Sequence, residues 1–387
     1  MAKFRILSLD GGGTWALIEV MALIDLYGGN TTGHEVLQQF DLAAANSGGS
    51  IVLGCLVENM TLNGILDFFL SLEKRKSMFV EKLHLPDTPK YKTAEKLPGL
   101  QAALPARGSL PLPQAAADIL SRSTGLPIHL LIIGFDYDGN CGRFFRSAPA
   151  NGAALGNGDP APVKVIEAIH ASTNAPVLFF DEPAQFPSEP DKRYWDGGIT
   201  GCNNPVLVGV AEAIVLGQKP DSIVALSLGT GSVRMPSQPA GAAPAVFYTQ
   251  RKHAGLLPDF QKLAGAILDD PPDTASFLAH LFTGGAPGLP APVDSRIVRM
   301  SPMIAPVRDG AGNWALPPGL DEAGFHAIAN LDMDAVAQED ADAVHNLAQI
   351  WLQDRVRNCP IRMDGQLTRE IGHDSYSEAK KAWQMLA

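Results

Sequence analysis

Residues 40–53 read Phe40-Asp41-Leu42-Ala43-Ala44-Ala45-Asn46-Ser47-Gly48-Gly49-Ser50-Ile51-Val52-Leu53, and the fold is read outward from them. Residues 41–45 close on a run of small apolar side chains, which suits a buried strand. Residues 49–59 carry apolar positions that suit a helix. Ser47 stands between the two, with small residues on either side. A strand-to-helix turn of this kind is a nucleophile elbow, in which small neighbours let the backbone fold back and expose the hydroxyl. The usual spacing is G-x-S-x-G; here Ala45 replaces the first glycine and Gly49 keeps the last. The start of the following helix adds the positive end of its dipole. The same residues also suit an ordinary Ser/Gly helix cap, and this motif alone does not separate the two.

On the N-terminal side, residues 4–9 form an apolar run ending at Asp10-Gly11-Gly12-Gly13-Thr14. That pattern predicts a buried strand, a tight turn and then a helix over 14–26. Gly11, Gly12 and Gly13 present backbone N–H groups to one concavity, with Gly48 N–H as a further donor. Such donors suit a developing oxyanion; the same run also suits a phosphate cradle. On the C-terminal side, Asp196 is flanked by Gly197 and Gly198, which present its carboxylate on a tight turn. A free Asp is a weak base at neutral pH, and burial would strengthen it. An ordinary turn Asp fits that pattern as well.

The rest of the chain alternates strands and helices. Strands are expected at 128–137, 142–147 and 222–228, and helices at 62–74, 113–123, 163–172 and 205–217. Alternation of this kind predicts a mostly parallel sheet covered on both faces. Residues 84–113, rich in Pro, Lys and Leu, read as a long surface excursion, a lid or substrate-binding loop. Residues 150–161 read as a Gly/Ala/Pro loop. After about residue 235 helices dominate: 246–269, 273–282, 321–329 and 332–354, interrupted by a short strand at 296–300. The expectation is one catalytic domain over 1–387, with a core at 4–232 and a helical extension at 246–387 packed on it.

The bulk numbers narrow the function. Across 387 residues, 46% are hydrophobic and 18% charged, enough apolar mass for a large core. A net charge of −11 with no basic tract argues against nucleic acid as partner. Cys55, Cys141, Cys202 and Cys359 lie far apart and form no CxxC or Cys/His cluster, so no metal is expected. Neither a signal-like N-terminus nor an 18-residue apolar run is found, so a cytoplasmic, soluble protein is expected.

The ordered set Asp10-Gly11-Gly12-Gly13, Asn46-Ser47-Gly48-Gly49 and Asp196-Gly197-Gly198 resembles the patatin-like phospholipase family. Residues 168–176 (Ala168-Ile169-His170-Ala171-Ser172-Thr173-Asn174-Ala175-Pro176) and Asn203-Asn204-Pro205 are similar to further family segments. The resemblance covers about residues 4–232 and, more weakly, 332–354. It implies a three-layer α/β/α sandwich and lipid acyl hydrolysis through an acyl-enzyme. It implies Ser47 as nucleophile, Asp196 as base, and Gly11, Gly12 and Gly13 as the oxyanion loop. The implied partner is a lipid ester at a membrane or micelle surface, with no cofactor and no calcium. Two departures stand out: Trp15-Ala16 replaces the family's Arg-Gly, and Ala45 replaces the first elbow glycine. Neither deletes a catalytic side chain.

Three rivals remain at this level. An actin-like sugar kinase also carries Asp-Gly-Gly-Gly-Thr, and Leu228-Gly229-Thr230-Gly231 resembles its second glycine loop. That fold continues into a hairpin strand, whereas residues 15–26 show helical spacing. A binding protein with a weakened site is suggested by Trp15-Ala16. A Ser-His-Asp triad would need His170, on a helix, or His253, in a polar stretch; the Ser-Asp dyad is favoured. Trp195, Met300, Met303 and Ile304 read as core, with a lining of the acyl pocket as their alternative role.

Overall fold

The central strands are short apolar runs buried on both faces. Strands β1 Phe4–Leu9, β2 Leu42–Asn46, β3 His129–Asp136, β4 Cys141–Arg146, β5 Tyr194–Asp196, β6 Ile223–Leu228 and β7 Ile297–Met300 form one sheet. Its order is β4-β3-β2-β1-β6-β7, with β5 also on β3. The pairs β1–β2, β1–β6, β2–β3 and β6–β7 are parallel, while β4 and β5 run antiparallel to β3. The computed structural model describes residues 3–83, 88–147, 162–237, 247–248, 255, 271–285, 295–362 and 370–386.

Helices cover both faces. Among them are α1 Leu17–Tyr27, α2 Ser47–Val57, α3 Leu62–Leu70, α4 Leu72–Met78, α5 Thr93–Ala103, α6 Val165–Ser172, α7 Val206–Val215, α8 Pro271–Phe282, α9 Gln338–Leu352 and α10 Tyr376–Leu386. Phe4, Ile6, Leu42, Ala44, Ile223 and Ala225 bury one sheet face against Val206 and Val210 of α7 and Phe277 of α8. Leu7, Leu9, Ala43, Ala45, Leu226 and Leu228 bury the other in a larger core with α1, α2 and α6. A period of two therefore sorts each strand between two cores, the three-layer α/β/α arrangement expected.

The C-terminal portion joins the sheet itself. Its strand β7 pairs with β6 from Ala225↔Ile297 to Leu228↔Met300. Several expected boundaries move for local reasons. The helix expected at 62–74 breaks at Ser71, which leaves the helical region (ψ 114°) and caps α4 by accepting from Lys74 N–H. The excursion read at 84–113 contains α5, whose Thr93, Lys96 and Leu100 are buried. Pro98 inside α5 hides this helix from a propensity reading. The helix expected at 113–123 is one short stretch, Leu112–Ala116. The helix at 14–26 begins as a 3-10 turn, Gly13–Ala16. Strand 296–300 and helix 332–354 shorten to β7 and α9. Apart from residues 247–248 and 255, the expected helix 246–269 lies outside the described residues, as does the loop 150–161.

A buried ion pair ties β7 to the end of β1. Arg299 donates to Asp10 Oδ2 at 2.5 Å and to Ser227 Oγ at 2.9 Å. Burial raises the Asp10 carboxyl from 3.8 to about 6, against the pull of Arg299. Folding therefore binds this proton more tightly, so Asp10's contribution is fully present below its unfolded pKa and lost as pH rises through about 6. Arg299→Met leaves Asp10 without its counter-charge. It should cost about 3–5 kcal/mol near neutral pH. The loss should shrink near about pH 5, where Asp10 takes up its proton. Urea unfolding at the two pH values checks this; an equal loss at both would refute it.

Candidate functional site

Strand β3 brings the two halves of the site together. Asn46, the last residue of β2, pairs with Ile133, and Asp196, the last of β5, pairs with Gly134. Consecutive residues of one strand thus hold the turns that carry Ser47 and Asp196. Asn46 also reaches across the junction, its Nδ2 lying 3.3 Å from Asp196 Oδ1.

Ser47 has a φ of 45°, in the left-handed region that a side chain rarely adopts. The strained turn is tied from several sides. Ser47 N–H donates to Ser172 Oγ at 2.9 Å, and Gly49 N–H to Asp10 O at 2.9 Å. Gly48 lies against Gly13, where an added Cβ would come within 2.5 Å of Gly13 O. Only glycine lets the elbow and the glycine loop approach this closely.

The loop after β1 is pinned at both ends. Asp10 N–H donates to Leu228 O, Gly11 N–H to Asn203 O at 2.9 Å, and Thr14 N–H to Met333 O at 3.0 Å. Thr230 Oγ donates to Gly11 O at 2.7 Å. Among the described residues, the N–H groups of Gly12, Gly13 and Gly48 have no protein partner. Gly11 N–H is committed, so Gly11 anchors the loop while its neighbours stay open.

Asp196 is 4% exposed and Ser47 6%. The carboxyl accepts from Gly198 N–H at 2.8 Å, and the Ser47 hydroxyl lies close enough to favour its ionised form. Burial raises its pKa above the ordinary 3.8; the Ser47 hydroxyl, the bond from Gly198 N–H and the charge of Lys96 oppose the rise. A carboxylate so placed is a stronger base than a free Asp.

Over the serine lies a cavity of about 20 Å³, walled by Ile51, Phe79, Phe179, Phe180 and Met333. Met333 belongs to a C-terminal segment fastened over the glycine loop. Trp15 Nε1 donates to Asp332 O at 3.2 Å and Thr14 Oγ to Asp334 O at 2.5 Å. The departure at Trp15 therefore has a structural role: a buried indole holds the segment that covers the site.

The remaining candidates are placed as follows. His170 is buried on α6, its Nδ1 has no partner, and no hydrogen bond joins it to Ser47 or Asp196. His253 lies outside the described residues. Met300, Met303 and Ile304 are buried and do not wall the cavity. Trp195 packs beside Tyr91, Phe180 and Val336. After Thr14 the chain enters a 3-10 turn and α1, so no kinase hairpin follows the glycine loop. Among the described residues no group of three or more His, Cys, Asp or Glu is placed to hold a metal. Two site residues escape a sequence reading. Met333 sits far along the chain, and Lys96 stands in a Lys/Pro-rich stretch that looks solvated yet is buried.

The chain matches the family model described as patatin-like phospholipase over residues 7–210. It belongs to the patatin-like phospholipase family. A curated intracellular phospholipase A2 from Caenorhabditis elegans is 28% identical over 244 residues, covering 60% of this chain and 20% of its own length. The chain thus spans 20% of that relative. The crystal structure of VipD from Legionella pneumophila covers 100% of this chain and 74% of its own, at 11% identity and a TM-score of 0.37. That likeness is too slight to carry an argument.

The left-handed backbone at Ser47 gives a direct test. Ser47→Ala and Ser47→Gly both lose the hydroxyl, but only glycine accepts the φ without a Cβ penalty. Ser47→Gly should be more stable than Ser47→Ala by about 1 kcal/mol in chemical denaturation. Equal stabilities would show that the elbow is unstrained.

Proposed function

We propose that this chain is a lipid acyl hydrolase that cleaves carboxylic esters through a Ser47–Asp196 dyad. One observation carries the reading. A serine on a left-handed strand-to-helix turn stands beside a buried aspartate whose carboxylate its hydroxyl stabilises, next to three backbone N–H groups that have no protein partner among the described residues. Family membership and the resemblance to a phospholipase A2 support a lipid ester as substrate.

In this scheme the Ser47 hydroxyl attacks the ester carbonyl carbon while Asp196 takes its proton. The tetrahedral oxyanion is received by the N–H groups of Gly12, Gly13 and Gly48, with Gly11 anchoring the loop. Each such donor contributes on the order of 3 kcal/mol to the transition state. The leaving alcohol or lysolipid takes the proton from Asp196. Water, deprotonated by the same carboxylate, then attacks the acyl-enzyme; the Ser47 Oγ–acyl bond breaks, Asp196 returns the proton to Ser47 Oγ, and the fatty acid is released. No step is assigned to a metal or cofactor. His170 is given no part, because no hydrogen bond joins it to Ser47 or Asp196 and its Nδ1 has no partner.

The walls fit an acyl chain in character but not yet in size. A cavity of about 20 Å³ has room for about one water. Phe179, Phe180 and Met333 must part for a substrate to enter. We read the encounter with lipid as occurring at a membrane or micelle surface, and residues 1–387 as one catalytic domain.

Intact-mass analysis after fluorophosphonate treatment tests the dyad. The wild type should gain one adduct, Ser47→Ala none, and Asp196→Asn should react about 10²–10⁴-fold more slowly. The acid limb of kcat/KM on a lipid ester should lie above the ordinary Asp value of 3.8, since Asp196 must be ionised to act and burial raises its pKa. Absence of an adduct on folded wild type would overturn the proposal.

A further inference from the structure

Lys96 lies on α5, 2% exposed. A lysine is almost never fully buried unless it is paired. Among the described residues no carboxylate lies within ion-pair distance of Lys96. Its ammonium instead donates to Asn174 Oδ1 at 2.8 Å and stands 3.8 Å from the centre of the Phe180 ring. Both neighbours lead to the site. Asn174 O accepts the N–H of Asp196 at 3.0 Å, and Asn174 Nδ2 is held by Glu182 O at 2.7 Å. Phe180 is a wall of the cavity over Ser47.

We propose that Lys96 is a positioning residue for Asp196, holding the base's turn through Asn174 and the cavity wall through Phe180, with its charge acting on the carboxylate through a dry interior. This inference rests on the Ser47–Asp196 reading. The charge has work to do there. Burial alone would leave Asp196 protonated over more of the pH range, and the attraction of Lys96 acts against that. Burial drives Lys96 itself well below 10.5, and Asp196 pulls it back up. Each charge therefore favours the ionised form of the other, against a burial that disfavours both.

Other charged groups on the surrounding elements are engaged elsewhere. Arg75 of α4 donates to Phe69 O and Val336 O. Asp181 meets Lys82 and the N–H of Thr93, and Glu167 of α6 accepts from Ser188. His170 of α6 faces Lys96 and is held neutral by burial and by that charge. Removing the ammonium should therefore let the Asp196 pKa rise, with no nearby cation to replace it.

The test is the pH dependence of fluorophosphonate labelling at Ser47, followed by intact mass on the full chain. Lys96→Met should move the midpoint of the acid limb up by about one pH unit. Labelling should fall about tenfold on the acid side of that limb and much less on its alkaline plateau. A folded Lys96→Met with an unmoved midpoint, or with an equal loss at every pH, would overturn the proposal. Should Lys96→Met fail to fold, Asn174→Ser decides, because it keeps the lysine and removes its Oδ1 anchor. A shift in the same direction supports the clamp, and an unmoved midpoint overturns it. A folded wild type that is not labelled at all would overturn the dyad reading instead, and this inference with it.

Discussion

Strand β3 shares one edge between two partners, and the site depends on that sharing. β2 occupies the edge as far as Ile133, and β5 takes it up at Gly134. The backbone of β2 must leave the sheet where β5 enters, and it does so at the left-handed Ser47. The strain at that residue is therefore repaid by ladder bonds and by the N–H bonds at Ser172 and Asp10. The close approach of Gly48 to Gly13 follows from the same crossing. A pair of residues distant in sequence becomes adjacent because hydrogen-bond register leaves no other place for them.

Dry surroundings make the charges consequential. Asp10, Glu19 and Arg299 lie buried at the end of β1, where Glu19 accepts from Asp10 N–H and burial raises its carboxyl well above 4.5. Arg299 is the cation of that group and also spans β7 to Ser227 of β6. Elsewhere in the site, buried Lys96 donates to Asn174 and stands over the Phe180 ring, and its charge opposes the rise of the Asp196 pKa. Arg299 and Asp10 tie β7 to the start of the glycine loop; Lys96 acts on the proposed base. Both occur where water is excluded, which is where a single charge matters most.

The cover of the site is assembled from distant pieces. Phe79, Phe179 and Phe180 come from the middle of the chain and Met333 from its C-terminal part. Tyr91 OH donates to Asp334 at 2.6 Å, and Lys90 reaches both Asp332 and Asp334, so the same segment is also tied to the stretch before α5. Closure of the cavity is thus coupled to the packing of Trp15, which holds the segment by its indole N–H.

Much was legible in the sequence because local rules carry it. Short apolar runs marked β1, β2 and β6, and the small residues around Ser47 suited a tight strand-to-helix turn. The spacing of glycines and of Asp196 named the residues of the candidate site. Other features belong to no local rule. Pro98 and the lysines around it disguised α5, and nothing in that stretch announces that Lys96 is buried. Asn203 cannot be known to occupy Gly11 N–H from spacing, nor Met333 to cover Gly13. By itself the sequence determined which strands are buried and which turns must be tight, since side-chain size and polarity act within a few residues. Only the tertiary structure decided which N–H groups stay open, which charges face each other and what closes the pocket, because these depend on register and burial between segments far apart in the chain.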